Sequence, residues 1–289
     1  MTTTTGGRRG ALVRNKALRR FLRNPGTVVG SLLALALVLV ALLAPYLAGD
    51  PLAQDLGARL QGPSAAHPFG TDQLGRDVMA RVVHGSRISL LIGLTVVSVS
   101  LVVGGLVGLL AGLFGGVVDE VAMRITDIFF AFPALILAMA IAGALGPSLG
   151  NLMIAVAAVS WPYYARLIRA QVLSLKTLDF VDASRALGAG RWRQAFKHVL
   201  PNALTPLLVQ ASFDVGAAIL TAAGLGFIGF GAQPPTPEWG AVVSETRSFI
   251  AEAPWASSAP ALAILVTVLA FNLLGDGLRD VLDPRGRRH

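Results

Sequence analysis

Cysteine is absent from the 289 residues, and with it go a disulfide framework, a thiolate metal site and a thiol nucleophile. Charge is sparse: 14% of the residues are Asp, Glu, Lys or Arg, where a soluble domain carries about 25%, and this argues against a water-soluble globule. The four histidines stand apart at positions 67, 84, 198 and 289. No GxxxxGK(S/T) phosphate loop and no HExxH occurs, so the chain shows no ATP-hydrolysing machinery and no convergent metal set of its own.

What it has is apolar bulk, 54% hydrophobic residues with a mean hydropathy of +0.66, gathered into long blocks. A membrane span needs roughly 20 mostly apolar residues with every backbone polar group satisfied internally. Six stretches meet that need, at 27–47, 88–113, 125–145, 152–170, 204–230 and 259–274. Uninterrupted runs such as 31–44 lack the alternation of a membrane barrel strand, so the expectation is an all-α integral membrane protein with six transmembrane helices. A secretory signal peptide is the competing reading of residues 1–48, but the apolar run exceeds the roughly 7–15 residues of a signal core.

The net charge of +8 could suit nucleic acid, but the positions of the basic residues point elsewhere. They cluster before the first span (Arg8 to Arg23), between the fourth and fifth (Lys176 to Lys197) and after the sixth (Arg279 to Arg288). Six spans place these segments on one side, and the positive-inside rule makes that side cytoplasmic, with both termini. The resulting division is a basic segment 1–26, a first helix 27–48, an extracytoplasmic loop 49–87, a core 88–278 containing a cytoplasmic loop 178–202, and a tail 279–289. Leu12, Val13, Leu18 and Phe21 interleave with Arg14, Lys16, Arg19 and Arg20 as in an interfacial helix; a disordered basic tail is the alternative.

Polar residues near or within the spans, Asp127, Asn151, Gln210, Asp214, Asn272 and Asp276, are expensive in lipid and so are candidates for a partner helix or a water-filled path; capping and helix-to-helix bonding are the bland alternative. Pro133 and the glycines at 104, 105, 108, 112, 115 and 116 predict kinked, closely packed helices.

The loop 178–202 looks folded. Asp179 can cap a helix whose face carries Phe180, Ala183, Ser184 and Leu187, and Gly188 stops it. A second amphipathic piece brings Trp192, Phe196, Val199 and Leu200 together and is expected to end at Pro201. Such a helix pair is either a handle for a partner or a pair resting on lipid headgroups.

Asp182-Ala183-Ser184, Gly188 and His198-Val199-Leu200-Pro201 resemble the signature loop of the binding-protein-dependent ABC importer permeases, which reads EAA, three residues, Gly, nine residues, then I-x-L-P. Asp, Ser and His replace the consensus Glu, Ala and Ile. A second stretch, His67-Pro68-Phe69-Gly70-Thr71-Asp72-Gln73-Leu74-Gly75-Arg76-Asp77, resembles an extracytoplasmic motif of the dipeptide, oligopeptide and nickel branch, specifically its second-type permease subunit. So do 233–240 and 272–280, and the likeness covers nearly the whole chain. Residues 222–229 depart from the family pattern, lacking its acidic residue.

The resemblance implies a MetI-like ABC importer permease fold with an extra N-terminal helix, in the cytoplasmic membrane of a prokaryote. It implies a second permease as heterodimer partner, two cytosolic ABC ATPases, an extracytoplasmic solute-binding protein, and no cofactor or nucleic acid bound by this chain. Asp182, Ala183, Ser184, Leu187, Gly188, His198, Leu200 and Pro201 become the ATPase-coupling element. Peptides are the implied cargo, with nickel complexes or other small solutes as alternatives, and the pathway residues stay unassigned. A secondary carrier would show repeated broken halves with paired intramembrane charges, and a membrane enzyme a convergent acid, base or metal set; neither pattern is visible.

Overall fold

A computed structural model describes residues 24–179, 184, 188 and 190–282. These form an all-helical bundle: α1 (Pro25–Leu47), α2 (Val78–Phe114), α3 (Gly116–Phe130), α4 (Ala134–Leu145), α5 (Leu149–Lys176), α6 (Arg191–Gln194), α7 (Leu200–Ile228), α8 (Trp239–Thr246) and α9 (Pro254–Leu282). The interfacial helix expected before residue 24 and the tail after residue 282 lie outside the described residues.

Local chemistry fixes most helix ends. Asn24 Oδ1 accepts from Gly26 N and Thr27 N to open α1 at Pro25, Asp77 accepts from Met79 N and Ala80 N to open α2, and Ser148 accepts from Asn151 N to open α5. Each satisfies N–H groups that no helical carbonyl can reach. Gly115, at φ +66°, ends α2, and Gly229, at φ +103°, ends α7, where the left-handed turn favours a residue without Cβ.

Among the described residues four helices, α1, α2, α7 and α9, are long and apolar enough to cross a membrane, and α3 with α4 makes a fifth if that pair is one span. The expected span 125–145 is not one straight helix. It breaks at 131–133, and α3 and α4 meet at 89°, because Pro133 cannot continue the α3 ladder and instead caps α4. The expected span 152–170 lies inside α5, whose Asn151, Tyr163, Tyr164, Arg166 and Arg169 dilute its apolar content. α2 starts at Val78, inside the segment assigned to 49–87.

Small residues set the packing. A Cβ on Gly104 would lie 2.3 Å from Trp161 O, on Gly108 2.2 Å from Ala165 O, and on Gly112 2.7 Å from Val172 Cβ. These three glycines, four apart, form one stripe of α2 on which the α5 backbone lies directly, the close approach that drives helix association without a hydrophobic effect. Glycine also seats α1 on α9: a Cβ on Gly30 would lie 2.5 Å from Leu273 Cβ, and one on Gly277 2.1 Å from Thr27 Cγ2. Gly105 touches only the end of Ile168, and Gly115 and Gly116 form the α2–α3 turn.

Candidate functional site

α2 is the ruler of the molecule. Its 37 residues span about 55 Å at 1.5 Å per residue, and three polar or aromatic clusters lie at its start, middle and end.

At the Val78 end the motif from Gly70 to Asp77 folds into a tight knot. Asp72, fully buried, accepts backbone N–H bonds from Leu74 (2.9 Å) and Arg76 (3.0 Å). Its other oxygen pairs with Arg76 Nε at 2.6 Å and Arg81 at 2.9 Å, and both guanidinium groups reach Glu245 of α8, at 2.5 and 3.1 Å. Two carboxylates against two arginines leave no net charge, the condition under which buried ions are tolerated. Gly75 (φ +71°) lets the chain turn where a Cβ would strike Asp55 O at 1.7 Å, and Gly70 (φ +68°) packs on Trp255. Thr71 donates to Ala58 O and accepts from Gln61 N, while its carbonyl accepts from Trp255 Nε1 at 3.1 Å. The six motif residues Gly70, Thr71, Asp72, Gly75, Arg76 and Asp77 thus weld the segment before α2 to α8 and α9. Beside them Glu238 caps α8, accepting from Gly240 N (2.9 Å) and Ala241 N (2.8 Å). Burial pushes its carboxyl above the usual range against the opposing pull of those bonds.

At mid-length, level with Val96 and Val97, a cavity of about 790 Å³ opens between α2, α4, α5 and α7. Its walls are mainly aliphatic. Among them sits a hydrogen-bonded triad: Tyr164 Oη donates to Asp214 Oδ2 at 2.5 Å and Gln210 Nε2 donates to Asp214 Oδ1 at 2.9 Å. Gln210 and Asp214 sit one turn apart on α7, so they share a face. Both were expected from sequence as polar groups in a span; Tyr164 was not.

The other polar candidates have structural employment or none. Asp127 pairs with Arg166, whose guanidinium also lies 4.2 Å from the centre of the Phe130 ring. Asn151 Nδ2 closes the α4–α5 turn on Leu145 O (2.8 Å) and Gly146 O (3.0 Å). Asn272 and Asp276 are exposed rather than buried.

At the Phe114 end, the segment after α5 carries the expected coupling residues. Asp182, Ala183 and Leu187 lie outside the described residues. Ser184 is half-buried, and Gly188 has φ +83°, a left-handed conformation, with open space around it. Pro201 does not end the second helical piece. The chain runs from α6 through a π turn (Ala195–Val199) straight into α7, with Leu200 N–H donating five residues back to Ala195 O. The widened turn accommodates the ring of Pro201, which sits in the first turn of α7. His198 lies in that π turn and Leu200 is half-buried. Ala195 and Val199 are fully buried, whereas Trp192 and Phe196 stand about half exposed, at 53% and 54%, and stack at 5.9 Å. Phe114 meets Trp192 edge-on at 5.7 Å. Lys176 Nζ caps the end of α2, donating to Gly112 O (2.9 Å) and Leu113 O (3.1 Å).

Comparison with known proteins matches these regions. The family model described as "Binding-protein-dependent transport system inner membrane component" matches residues 104–288, and "N-terminal TM domain of oligopeptide transport permease C" matches residues 14–63. The chain is 49% identical over 263 residues to the probable D,D-dipeptide transport system permease protein DdpC of Escherichia coli, covering 91% of this chain and 88% of that one. It is 49% identical over 272 residues to the di/tripeptide transport system permease protein DppC of Pseudomonas aeruginosa, covering 92% and 90%. In fold it is similar to a chain of the inward-facing methionine ABC transporter MetNI, with a TM-score of 0.56 at 20% identity, covering 70% of this chain and 97% of that one.

Proposed function

Because the chain belongs to the family of binding-protein-dependent transport system inner membrane components, and so is a multi-pass permease subunit of an ATP-binding cassette importer, we propose that its cargo is di- or oligopeptides. The peptide permeases it resembles at 49% identity support that cargo over nickel complexes or other small solutes. In this reading six helices cross the cytoplasmic membrane of a prokaryote, α5 and the bent α3–α4 pair among them, α1 is the helix added to the MetI-like core, and both termini are cytoplasmic. A second permease completes the pathway, two cytosolic ATPases bind the ATP, and an extracytoplasmic solute-binding protein delivers the solute. The chain itself holds no cofactor and catalyses nothing.

The observation that carries the mechanism is the exposed Trp192–Phe196 stack beside the loop of Gly188. Large aromatics half out of a folded surface, in the most basic connection of the chain, form a handle for a partner. Phe114 ties that handle to α2 and Lys176 ties the same end of α2 to α5, so a displacement of the handle is passed to two helices that wall the central cavity. ATPase closure biases the two bundle states only if the partner binds this handle differently in each.

Among the described residues nothing lies within 4 Å of where a Cβ on Gly188 would stand, so a large side chain there strains one dihedral and is free to obstruct a partner. In proteoliposomes holding the complete transporter, Gly188→Trp is expected to insert normally and to lose ATP-driven uptake by at least about tenfold. Wild-type uptake by that variant, or uptake with the ATPases omitted, overturns the coupling assignment. The sidedness has its own test, since a chain without cysteine accepts single reporters. Thr177→Cys should resist an impermeant maleimide added outside, and Ala66→Cys should react.

A further inference from the structure

Every described carboxylate on α3 that faces α5 has a basic partner: Asp119 with Arg169 and Asp127 with Arg166. Asp214 has none. Its two oxygens are each taken by a neutral donor, Tyr164 and Gln210, the pattern of an acceptor-only carboxylate, and among the described residues it forms no ion pair. It lies in the wall of the central cavity, at the midpoint of α2. The surroundings that would screen it include Val96, Val97, Leu135, Val156 and Leu220, with the hydroxyls of Ser160, Tyr163 and Thr221 besides.

A single fixed negative charge in an apolar chamber attracts a cation strongly, because the low dielectric weakens screening. A resident metal ion does not fit, since no group of three His, Cys, Asp or Glu side chains converges among the described residues and Ca²⁺ or Mg²⁺ needs about six oxygens. An organic ammonium, which needs one carboxylate and a few hydroxyl or aromatic neighbours, does fit. We infer that Asp214, oriented by Tyr164 and Gln210, is a transient subsite for the ammonium group of the passing solute. The two neutral donors hold the carboxylate in place and share its charge, which keeps the contact weak enough to release, as conduction requires.

This inference rests on the proposed peptide cargo, whose amino terminus supplies the ammonium. The test is uptake of a dipeptide by proteoliposomes containing the complete transporter, its binding protein and internal ATP. Asp214→Asn removes the charge and keeps the shape; Asp214→Glu keeps the charge. The expected result is a maximal uptake rate at least about tenfold lower for Asp214→Asn, recovery to within about threefold for Asp214→Glu, and no shift in the concentration of loaded binding protein giving half-maximal uptake. Wild-type rates for Asp214→Asn overturn the subsite, and so does equal loss in both variants, which marks a purely structural bond to Tyr164. If the unsubstituted transporter takes up no dipeptide but does take up another solute, the cargo reading itself has failed, a result distinct from an insensitive variant.

Discussion

At the Val78 end of α2, two carboxylates meet two guanidinium groups with every charge answered and almost no surface exposed, whereas halfway along the same helix Asp214 stands in an open chamber with only neutral partners. The first arrangement holds helices together: it joins the segment before α2 to α8, across 169 residues of sequence from Arg76 to Glu245, and its neutrality is what lets it be buried. The second does little for packing, since Tyr164 and Gln210 could be bound as well by an uncharged group. A charge that the fold does not need and does not neutralise is available to something that arrives from outside. Beyond the chamber, toward the Phe114 end of the same helix, runs the glycine stripe on which α5 packs.

The largest effect is expected where the balanced set is unbalanced. Asp72→Asn keeps the shape but leaves Arg76 and Arg81 facing Glu245 alone, an uncompensated buried charge costing about 3–5 kcal/mol. The thermal unfolding midpoint of the purified complex should fall on the order of 10 °C. A change of less than about 2 °C would mean that water reaches the cluster and that the two regions do not differ in kind. The next effect belongs to the glycine stripe. Gly108→Leu places carbon where Ala165 O lies 2.2 Å from a Cβ, so α2 and α5 must separate, at about 1–3 kcal/mol. Gly105→Leu, one position along, meets only the flexible end of Ile168 at 3.1 Å and should lower the same midpoint less. Equal losses at 105 and 108 would show that helix propensity, not the stripe, carries the contact.

Much of this was legible from residues alone. The apolar runs of α1, α7 and α9, the break at Pro133, the glycine stripe and the left-handed Gly188 all follow from local chemistry. Gln210 and Asp214 stood out as polar groups one turn apart in an apolar stretch. What could not be read depends on distant partners. Arg81, His84 and Arg87 look like loop, yet α2 already starts at Val78 because Asp72 and Glu245 neutralise Arg81 from elsewhere in the chain. Asp119, Glu120 and Arg124 likewise disguise the first turns of α3, where Asp119 is answered by Arg169 of α5. Pro201 reads as a stop, and only the π turn ahead of it explains its place in a continuing helix. Tyr164 acquires a role only when α5 and α7 are set side by side.

The smallest expected effect is the sharpest comparison, because it repeats the first substitution in the other region. Asp214→Asn keeps one carbonyl oxygen for the Tyr164 hydroxyl, and a half-turn of the Gln210 amide lets its oxygen accept from the new NH₂ group. No arginine is orphaned, and a charge lacking a counter-ion is removed from an apolar chamber. The unfolding midpoint should therefore stay within the range of about 0.5 kcal/mol typical of a site without structural duty, or rise, even as peptide uptake falls. A drop matching that of Asp72→Asn would reveal a cationic partner for Asp214 inside the assembled transporter. The carboxylate would then belong to the same class as the buried cluster, and the chamber would have no charge left to offer a solute.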